Sequence, residues 1–339
     1  MRIGFNPNKD KIQVPNDFFH QVIVPVYIPN QEGYFKDSLA ILHYCLDSLF
    51  KTSHNKTYFT IVNNGSCKEV IDYLQKQFQD NKIHELIHTS NIGKLNAILK
   101  GITGQQIPLI TITDADVLFL NGWQKATYAI FETFPKAGTV STTPSSKMVR
   151  HLTSNVLFEK GLSKELRFTK VINPEAMQAF AHSVGNPNLY NKHHLDKYLT
   201  FSKGNVKAVI GAGHFVATYR AAIFDDLQQR NSIYNLGGNS ESDILDKPVI
   251  EHGYWRLSTE NNYTYHMGNV AESWMEEFLD TIEDQSDVTI PQPNLKEINN
   301  SKVFNYVKEK IFFKLINKKP FWTWFLQYKG LNTEASKNY

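Results

Sequence analysis

The sequence predicts an α/β fold, a mostly parallel sheet flanked by helices, with a helical C-terminal extension. Strand-like and helix-like segments alternate four times before residue 116, which is typical of parallel strands joined by right-handed helical crossovers. The first strand segment is a continuous apolar run, as expected for a strand that is buried on both faces. A polar segment with two prolines, residues 280–294, then precedes one more amphipathic stretch, which predicts the extension.

The elements of the first half follow in chain order. We predict strands at residues 21–27, 58–62, 83–88 and 107–112, and helices at residues 39–49, 70–78 and 93–102. Parallel sheets of this kind bind ligands at the carboxyl ends of their strands. The polar turns that follow residues 62 and 112 therefore mark the predicted ligand-binding edge.

The second half has a less regular pattern. The polar stretch 145–203 shows no periodicity from which elements can be predicted. Around it, we predict a helix at 123–134, strands near Thr139 and at 207–210, and helices at 218–227 and 242–252.

Composition bounds the class of protein. The 339 residues carry a formal net charge of +3, which is too close to neutral to indicate a nucleic-acid partner. Cys45 and Cys67 are the only cysteines, so we expect neither a disulfide framework nor a zinc site, and a reducing cytoplasm fits best. The N-terminal segment lacks an apolar signal core, and no apolar run reaches about 18 residues. These features predict a soluble or peripheral protein.

Asp114 and Asp116 are the central candidate site residues. Two carboxylates on one turn can hold a hard divalent cation, Mn²⁺ or Mg²⁺, against a diphosphate. The alternative is a solvated turn, since a chain of this length contains about one Asp-x-Asp by chance. The apolar strand that precedes Asp114 places the pair at the predicted ligand-binding edge, which favours the site.

Four motifs in order resemble those of the family 2 glycosyltransferases of the GT-A fold, and the resemblance extends over roughly residues 20 to 270. The motifs are Val-Pro-Val-Tyr at 24–27, Asn-Asn-Gly-Ser at 63–66, Asn-Ile-Gly-Lys at 91–94 and Asp-Ala-Asp at 114–116. The family usually has Asp-Asp-Gly-Ser at the second motif. The two asparagines that replace the acids leave the identity of the donor's base open.

The resemblance implies roles for residues on the donor side. It implies a nucleotide-sugar site made of Pro25, Tyr27, Asn63, Asn64, Lys94, Asp114, Gly213 and His214. It also implies a metal site of Asp114, Asp116 and His266, although a lone histidine after a strand is as often a packed residue. Lys94 would stabilise the diphosphate, and its alternative is an exposed lysine at a helix start.

On the acceptor side, the family has a catalytic carboxylate at the start of a helix. The matching stretch contains Asp243, our first choice for the base, and Glu241, our second. Such a base accepts the proton of the acceptor hydroxyl as that hydroxyl attacks the anomeric carbon. Capping of the helix N-terminus is the alternative role for both residues.

The resemblance also implies the domain organisation. Residues 1–270 would form the GT-A catalytic domain, with a nucleotide-binding half at about 20–120 and an acceptor half at about 121–270. Residues 271–339 would form the linker and the extension.

Together these features predict a metal-dependent, inverting glycosyltransferase that uses a UDP- or GDP-sugar and a saccharide or lipid-linked acceptor. Surface polysaccharide or glycoconjugate synthesis is the implied setting. A nucleotidyltransferase is one alternative, although the Gly-rich phosphate loop expected of that class is missing after Tyr27. A non-catalytic scaffold of the same fold is the other, and the intact Asp114 and Asp116 argue against it.

The extension has an unusual composition. Residues 301–330 carry seven lysines and many aromatic side chains but only one acid, Glu309. This composition suits a helix at the cytoplasmic face of an anionic membrane. The alternative is a helix whose aromatic face packs on the catalytic domain. Nucleic acid is disfavoured, because the charge comes without a known binding motif.

Overall fold

The computed structural model describes residues 3–12, 17–227, 230–298 and 301–339. In these parts of the chain a ten-stranded mixed sheet has the order β3-β2-β1-β4-β10-β6-β11-β9-β8-β7, and β5 pairs with β12. The strands are β1 (His20–Val26), β2 (Thr57–Asn64), β3 (Glu85–Thr89), β4 (Leu109–Thr113), β5 (Val117–Phe119), β6 (Ala137–Ser141), β7 (Leu166–Lys170), β8 (Lys197–Lys203), β9 (Val206–Ile210), β10 (Val216–Arg220), β11 (Trp255–Thr259) and β12 (Thr264–His266).

Helices cover both faces of the sheet, and more helices follow it. They are α1 (Ser38–Thr52), α2 (Lys68–Gln79), α3 (Lys94–Ile102), α4 (Trp123–Thr133), α5 (Ser154–Lys160), α6 (Pro174–Ser183), α7 (Lys192–Asp196), α8 (Lys247–Glu251), α9 (Ser273–Thr281), α10 (Lys302–Tyr306), α11 (Phe313–Ile316), α12 (Lys319–Tyr328) and α13 (Thr333–Asn338). The predicted mostly parallel α/β core with C-terminal helices is confirmed.

The first half is the parallel part of the sheet. Strands β3, β2, β1 and β4 all run in the same direction. Most apolar residues of β1, β2 and β4 are buried, whereas those of the edge strand β3 are partly buried. Helix α3 packs so closely on this sheet that a Cβ at Gly101 would lie 2.8 Å from Ile23 Cγ2. The carboxyl ends of β1, β2 and β4 therefore meet at one edge, as predicted.

The predicted helix at 218–227 is wrong. Val216–Arg220 forms β10, which lies antiparallel between β4 and β6, and only Ala221–Phe224 form a short 3₁₀ helix. A short strand buried on both faces shows no alternation of polar and apolar residues, so its pattern cannot be distinguished from that of a buried helix. Its pairing partners lie more than 70 residues away in the sequence.

The predicted helix at 242–252 is confirmed. Ser242–Asp246 form a wide π-helical turn that continues directly into α8. Three consecutive left-handed residues, Gly237, Gly238 and Asn239, reverse the chain just before it. Glycine and asparagine are the residues that adopt this conformation most readily. Their turn determines where the acidic side chains of the segment lie.

The C-terminal helices pack back on the sheet with one face. Trp322, Phe325 and Leu326 of α12 join the core formed by β6 to β9 and β11. The opposite face of the same helix leaves Trp324 53% and Tyr328 50% exposed. Among the described helices, none combines the length and the apolar composition that crossing a bilayer requires.

Candidate active site

A cavity of about 410 Å³ opens at the carboxyl ends of β1, β2 and β4. This is the edge at which α/β sheets bind ligands. Six residues predicted for the nucleotide-sugar or metal site line it: Pro25, Tyr27, Asn64, Lys94, Asp114 and Asp116. The structure thus brings together residues that lie up to 91 positions apart in the sequence.

Lys94 links two carboxylates. Its Nζ lies 2.6 Å from Asp114 Oδ1 and 2.9 Å from Glu241 Oε1. Gly93, with a φ of 87°, starts α3, and the backbone amide of Lys94 donates to the Asn235 carbonyl. Burial alone would lower the pKa of Lys94, but the two carboxylates outweigh it and raise the pKa. Lys94 is therefore charged, and it connects Asp114, just after β4, to Glu241, just before the helical segment Ser242–Asp246.

The carboxylate of Glu241 also contacts His214 through its second oxygen. His214 Nε2 lies 3.1 Å from Glu241 Oε2. The hydrogen bond from His214 lowers the pKa of Glu241 to about 2, with Lys94 acting in the same direction and burial opposing both. Glu241 is therefore ionised at neutral pH and is held between two cationic side chains.

Asp243, the first choice for the base, lies differently. Its carboxylate forms an ion pair with Lys247, one turn along the helical segment, and its side chain is 35% exposed. Like Glu241, it is not among the residues that line the described cavity. The structure brings Glu241, and not Asp243, to Lys94 and Asp114.

Asp116 and His266 lie together. His266 Nε2 is 3.4 Å from Asp116 Oδ2, and His266 Nδ1 is 2.9 Å from Ser183 Oγ. The strands that carry them explain the contact, because β12 pairs with β5 so that His266 lies opposite Val117. Asp116 Oδ1 is buried and has no hydrogen-bond partner among the described residues. Burial raises the pKa of Asp116, and His266 only partly opposes this effect.

These residues fit a divalent cation in type. Asp114, Asp116 and His266 offer carboxylate oxygen and imidazole nitrogen, and one carboxylate oxygen is buried without a partner. Asp114, however, is paired with Lys94. Within the described residues, no group of three or more His, Cys, Asp or Glu side chains is arranged as a ready metal site.

The two asparagines differ in position. Both are the last residues of β2 and not part of the turn, which begins at Gly65. Asn64 lines the cavity and accepts a hydrogen bond from the Ile92 amide at 2.9 Å. Asn63 is turned inward, where its amide bonds His88 and the backbone of Ser66. Only Asn64 is therefore placed to contact a ligand directly.

The loop 211–214 is tightly packed. Gly211 has a φ of 101°, and a Cβ on it would lie 2.5 Å from the Met148 carbonyl oxygen. Gly213 and His214 follow in the same loop, and His214 reaches Glu241 as described above. Gly213 is outside the set of residues that line the described cavity.

Sequence reasoning missed two groups of residues. The first lines the cavity with two aromatic side chains, two amides and one leucine: Tyr34, Phe35, Asn235, Asn269 and Leu236. The second is a group of charged or titratable residues centred on Asp246, which is contacted by Arg256 and His151. Asp246 also lies near His214, the histidine that contacts Glu241. Asp246 lies in the same acidic stretch as Glu241, so it could have been included as a third candidate.

A mixed α/β sheet with a cavity at its carboxyl edge is typical of ligand-binding α/β proteins. The family model described as "Glycosyl transferase family 2" matches residues 22–199, more than half of the chain. The chain therefore belongs to glycosyl transferase family 2, and the resemblance inferred from the four motifs is confirmed. The sequence has no match among proteins with curated descriptions.

Solved structures give distant similarities. A mannosyltransferase, PcManGT from Pyrobaculum calidifontis, solved in complex with GDP-Man and Mn²⁺, shares 14% identity at a TM-score of 0.41. The match covers 75% of this chain and 59% of that one. A TarS structure from S. aureus in complex with UDP-GlcNAc shares 13% identity at a TM-score of 0.42, over 94% and 69% of the two chains. GalNAc-T7 with UDP, GalNAc and Mn²⁺ shares 11% at a TM-score of 0.46, over 75% and 45%.

Proposed function

We propose that this family 2 chain transfers a sugar from a nucleotide diphosphate donor with inversion at the anomeric carbon. The observation that carries the proposal is the position of Lys94, which contacts Asp114 at the donor cavity and Glu241 beyond it. A single chain of contacts thus joins a site for a diphosphate to a carboxylate that can take a proton. A direct displacement requires a stabilised leaving group and a base for the attacking hydroxyl, and the residues proposed for these two roles are neighbours.

Cavity-lining residues suit the donor. Pro25, Tyr27 and Asn64 form a wall that can hold a nucleoside, and Lys94 supplies a cation for the departing phosphate. Asp114 and Asp116, with His266, would hold Mn²⁺ or Mg²⁺. When bound, such an ion neutralises the charge that develops on the diphosphate leaving group.

Glu241 is the better supported base. Its carboxylate lies within hydrogen-bond distance of Lys94, which lines the cavity and also contacts Asp114. Asp243 instead pairs with Lys247 and is more exposed. A single base that assists one in-line attack leads to inversion of the anomeric configuration. We therefore assign the base to Glu241 and keep inversion as part of the proposal.

Calorimetric titration of the protein with UDP and with GDP tests this function. We expect one of the two nucleotides to bind in the presence of Mn²⁺ and to bind more weakly with a chelator. An Asp114→Ala, Asp116→Ala double variant should lose the binding. The control is an Asp72→Ala, Asp80→Ala double variant, which removes two carboxylates from the surface of α2. A folded protein that binds neither nucleotide would contradict the proposal and favour a non-catalytic scaffold.

We also propose that the exposed face of the C-terminal helices contacts an anionic membrane, which would suit a lipid-linked acceptor. Phe321, Trp324 and Tyr328 form an exposed stripe at positions i, i+3 and i+7, opposite the face that packs in the core. Aromatic side chains favour the membrane interface, and lysines favour anionic headgroups. Among the side chains that the structure describes in this region, the exposed lysines are Lys310, Lys314, Lys318 and Lys319.

Co-sedimentation with vesicles of phosphatidylcholine, with and without phosphatidylglycerol, tests the membrane contact. A Lys314→Gln, Lys318→Gln variant should bind the anionic vesicles about 30-fold more weakly, because each basic residue contributes about 1 kcal/mol. The matched control is Lys68→Gln, Lys76→Gln on α2. Equal binding of the two variants, or no binding by the unmodified protein, would contradict the contact.

A further inference from the structure

The imidazole of His214 lies between two carboxylates. Its Nε2 is 3.1 Å from Glu241 Oε2, and its Nδ1 is 3.5 Å from Asp246 Oδ2. Asp246 is fully buried, whereas the side chain of Glu241 is 20% exposed and faces Lys94. The ring therefore spans from the interior of the protein to the edge of the site. A planar ring with two nitrogens on opposite sides can contact both carboxylates at once.

Asp246 is itself held by a buried framework. Arg256 Nη2 lies 2.7 Å from Asp246 Oδ1, and neither side chain has exposed surface. Arg256 also donates to the carbonyl of Ala212 at 2.6 Å and to the carbonyl of His151 at 2.9 Å. Ala212 belongs to the loop that carries His214. One guanidinium thus positions both the loop and the carboxylate that together orient the imidazole.

We infer that His214 is a positioning residue: anchored by Asp246, it fixes the carboxylate of Glu241 in the orientation in which that carboxylate accepts the acceptor's proton. The inference rests on the proposed role of Glu241 as the base. In the step itself, the acceptor O–H bond breaks and its oxygen bonds to the anomeric carbon. The proton moves to Glu241, and the nucleotide diphosphate leaves with the electron pair of its C–O bond. His214 neither gains nor loses a proton.

The charge of the imidazole follows from its surroundings. Burial lowers the pKa of His214, but hydrogen bonds to Asp246 and Glu241 outweigh it and raise the pKa to about 9. The folded-state pKa is above the ordinary value, so the ring keeps its proton at neutral pH and loses it as pH rises through about 9. Neutral imidazole has only one N–H and can donate to only one of the two carboxylates. The bridge should therefore break at alkaline pH.

Other charged or titratable groups surround this bridge. Lys94 and, beyond it, Asp114 face Glu241 from the donor side. Arg256 and His151 face Asp246, and the buried hydroxyl of Tyr219 lies near both acids, which contribute to raising its pKa. Burial opposes the charge of Lys94, but the two carboxylates outweigh it and raise its pKa, so Lys94 stays protonated in the relevant pH range. His214 is thus the group whose charge changes near pH 9.

Nuclear magnetic resonance of the ligand-free protein, labelled at histidine Cε1, tests the bridge without any need for activity. We expect one imidazole to titrate near pH 9, to be missing in His214→Gln and to titrate at least one pH unit lower in Asp246→Asn. His252→Gln, which removes another imidazole near the end of α8, is the control and should leave that signal in place. Absence of any imidazole that titrates above pH 8 would overturn the inference.

Hydrolysis of UDP-GlcNAc and of GDP-mannose, with water as the acceptor, tests the positioning role. In His214→Gln we expect kcat to fall about 10-fold, a part of the 10²–10⁴-fold that a general base contributes. The KM for the donor should change less than about twofold, and the decline of kcat near pH 9 should disappear. A decline that persists in His214→Gln, or a loss confined to KM, would overturn the inference.

The two experiments and the nucleotide titration separate this inference from the proposed function. If the unmodified protein binds neither UDP nor GDP while one imidazole titrates as expected, the bridge is supported and the transfer of sugar is contradicted. If hydrolysis occurs and His214→Gln behaves like His252→Gln, the transfer is supported and the positioning role is contradicted.

Discussion

In the proposed assignment, the donor side and the acceptor side of the site differ in how their carboxylates are paired. On the acceptor side, Glu241 contacts Lys94 and His214, and Asp246 contacts Arg256. On the donor side, Asp114 contacts the same Lys94 and Asp116 lies 3.4 Å from His266, but one buried oxygen of Asp116 has no hydrogen-bond partner among the described residues. A buried carboxylate oxygen without a partner is costly. The difference supports the proposal that the donor side receives a cation, whereas the acids of the acceptor side are already paired.

The largest expected effect distinguishes the two acidic residues of the acceptor side. Glu241→Gln should reduce the rate of donor hydrolysis by about 10²–10⁴-fold, because the amide cannot accept the proton. Asp243→Asn should reduce it less than about threefold if its main contact is the surface ion pair with Lys247. Initial rates at saturating donor measure both. The reverse ranking would return the role of base to Asp243.

Arg256→Met tests how much the buried ion pair with Asp246 contributes to the stability of the protein. Asp246 would be left as an unpaired buried charge, so the free energy of unfolding should fall by about 3–5 kcal/mol. Urea denaturation followed by circular dichroism measures the change. Arg167→Met, at an exposed position of β7, is the control and should change stability by less than about 0.5 kcal/mol. A small effect of Arg256→Met would remove the contrast between the two sides.

The smallest expected effects are changes in the free energy of unfolding when either acid of the donor side is replaced, measured in the presence of chelator. Asp116→Asn should raise the free energy of unfolding at pH 7 by about 1 kcal/mol, because it removes a charge that burial disfavours. Asp114→Asn should lower it by about 1–2 kcal/mol, because Lys94 loses a charged partner. Thermal unfolding of the two variants gives the signs. Effects of the same sign would show that the two carboxylates are equivalent.

The parts of the fold that the sequence predicts correctly are those that depend on local patterns. The strands and helices before residue 116 are local patterns of apolar residues, and they were assigned to within a few residues. Strand β10 was mistaken for a helix because its assignment depends on pairing with β4 and β6, which lie far away in the sequence. Short buried segments have no periodicity that could reveal such partners.

The candidate site residues show the same difference between local patterns and long-range contacts. Asp114, Asp116 and Lys94 were found because motifs at strand and helix ends place them at the sheet edge. The choice between Glu241 and Asp243 depends on the contacts of two residues that are close in the sequence, since Glu241 contacts Lys94 and Asp243 pairs with Lys247. Asp246 and Arg256 were missed because buried ion pairs leave no motif in the sequence. Their pairing is visible only in three dimensions.

The contacts of Arg256 also bear on the order in which the molecule folds. Its guanidinium joins segments that lie 105, 44 and 10 residues away along the chain, at His151, Ala212 and Asp246. Closing such long loops costs chain entropy before any contact compensates for it. We therefore expect the contact with Asp246 to form before the contacts with Ala212 and His151. The complete framework that we propose orients Glu241 would then be acquired only after distant parts of the chain have come together.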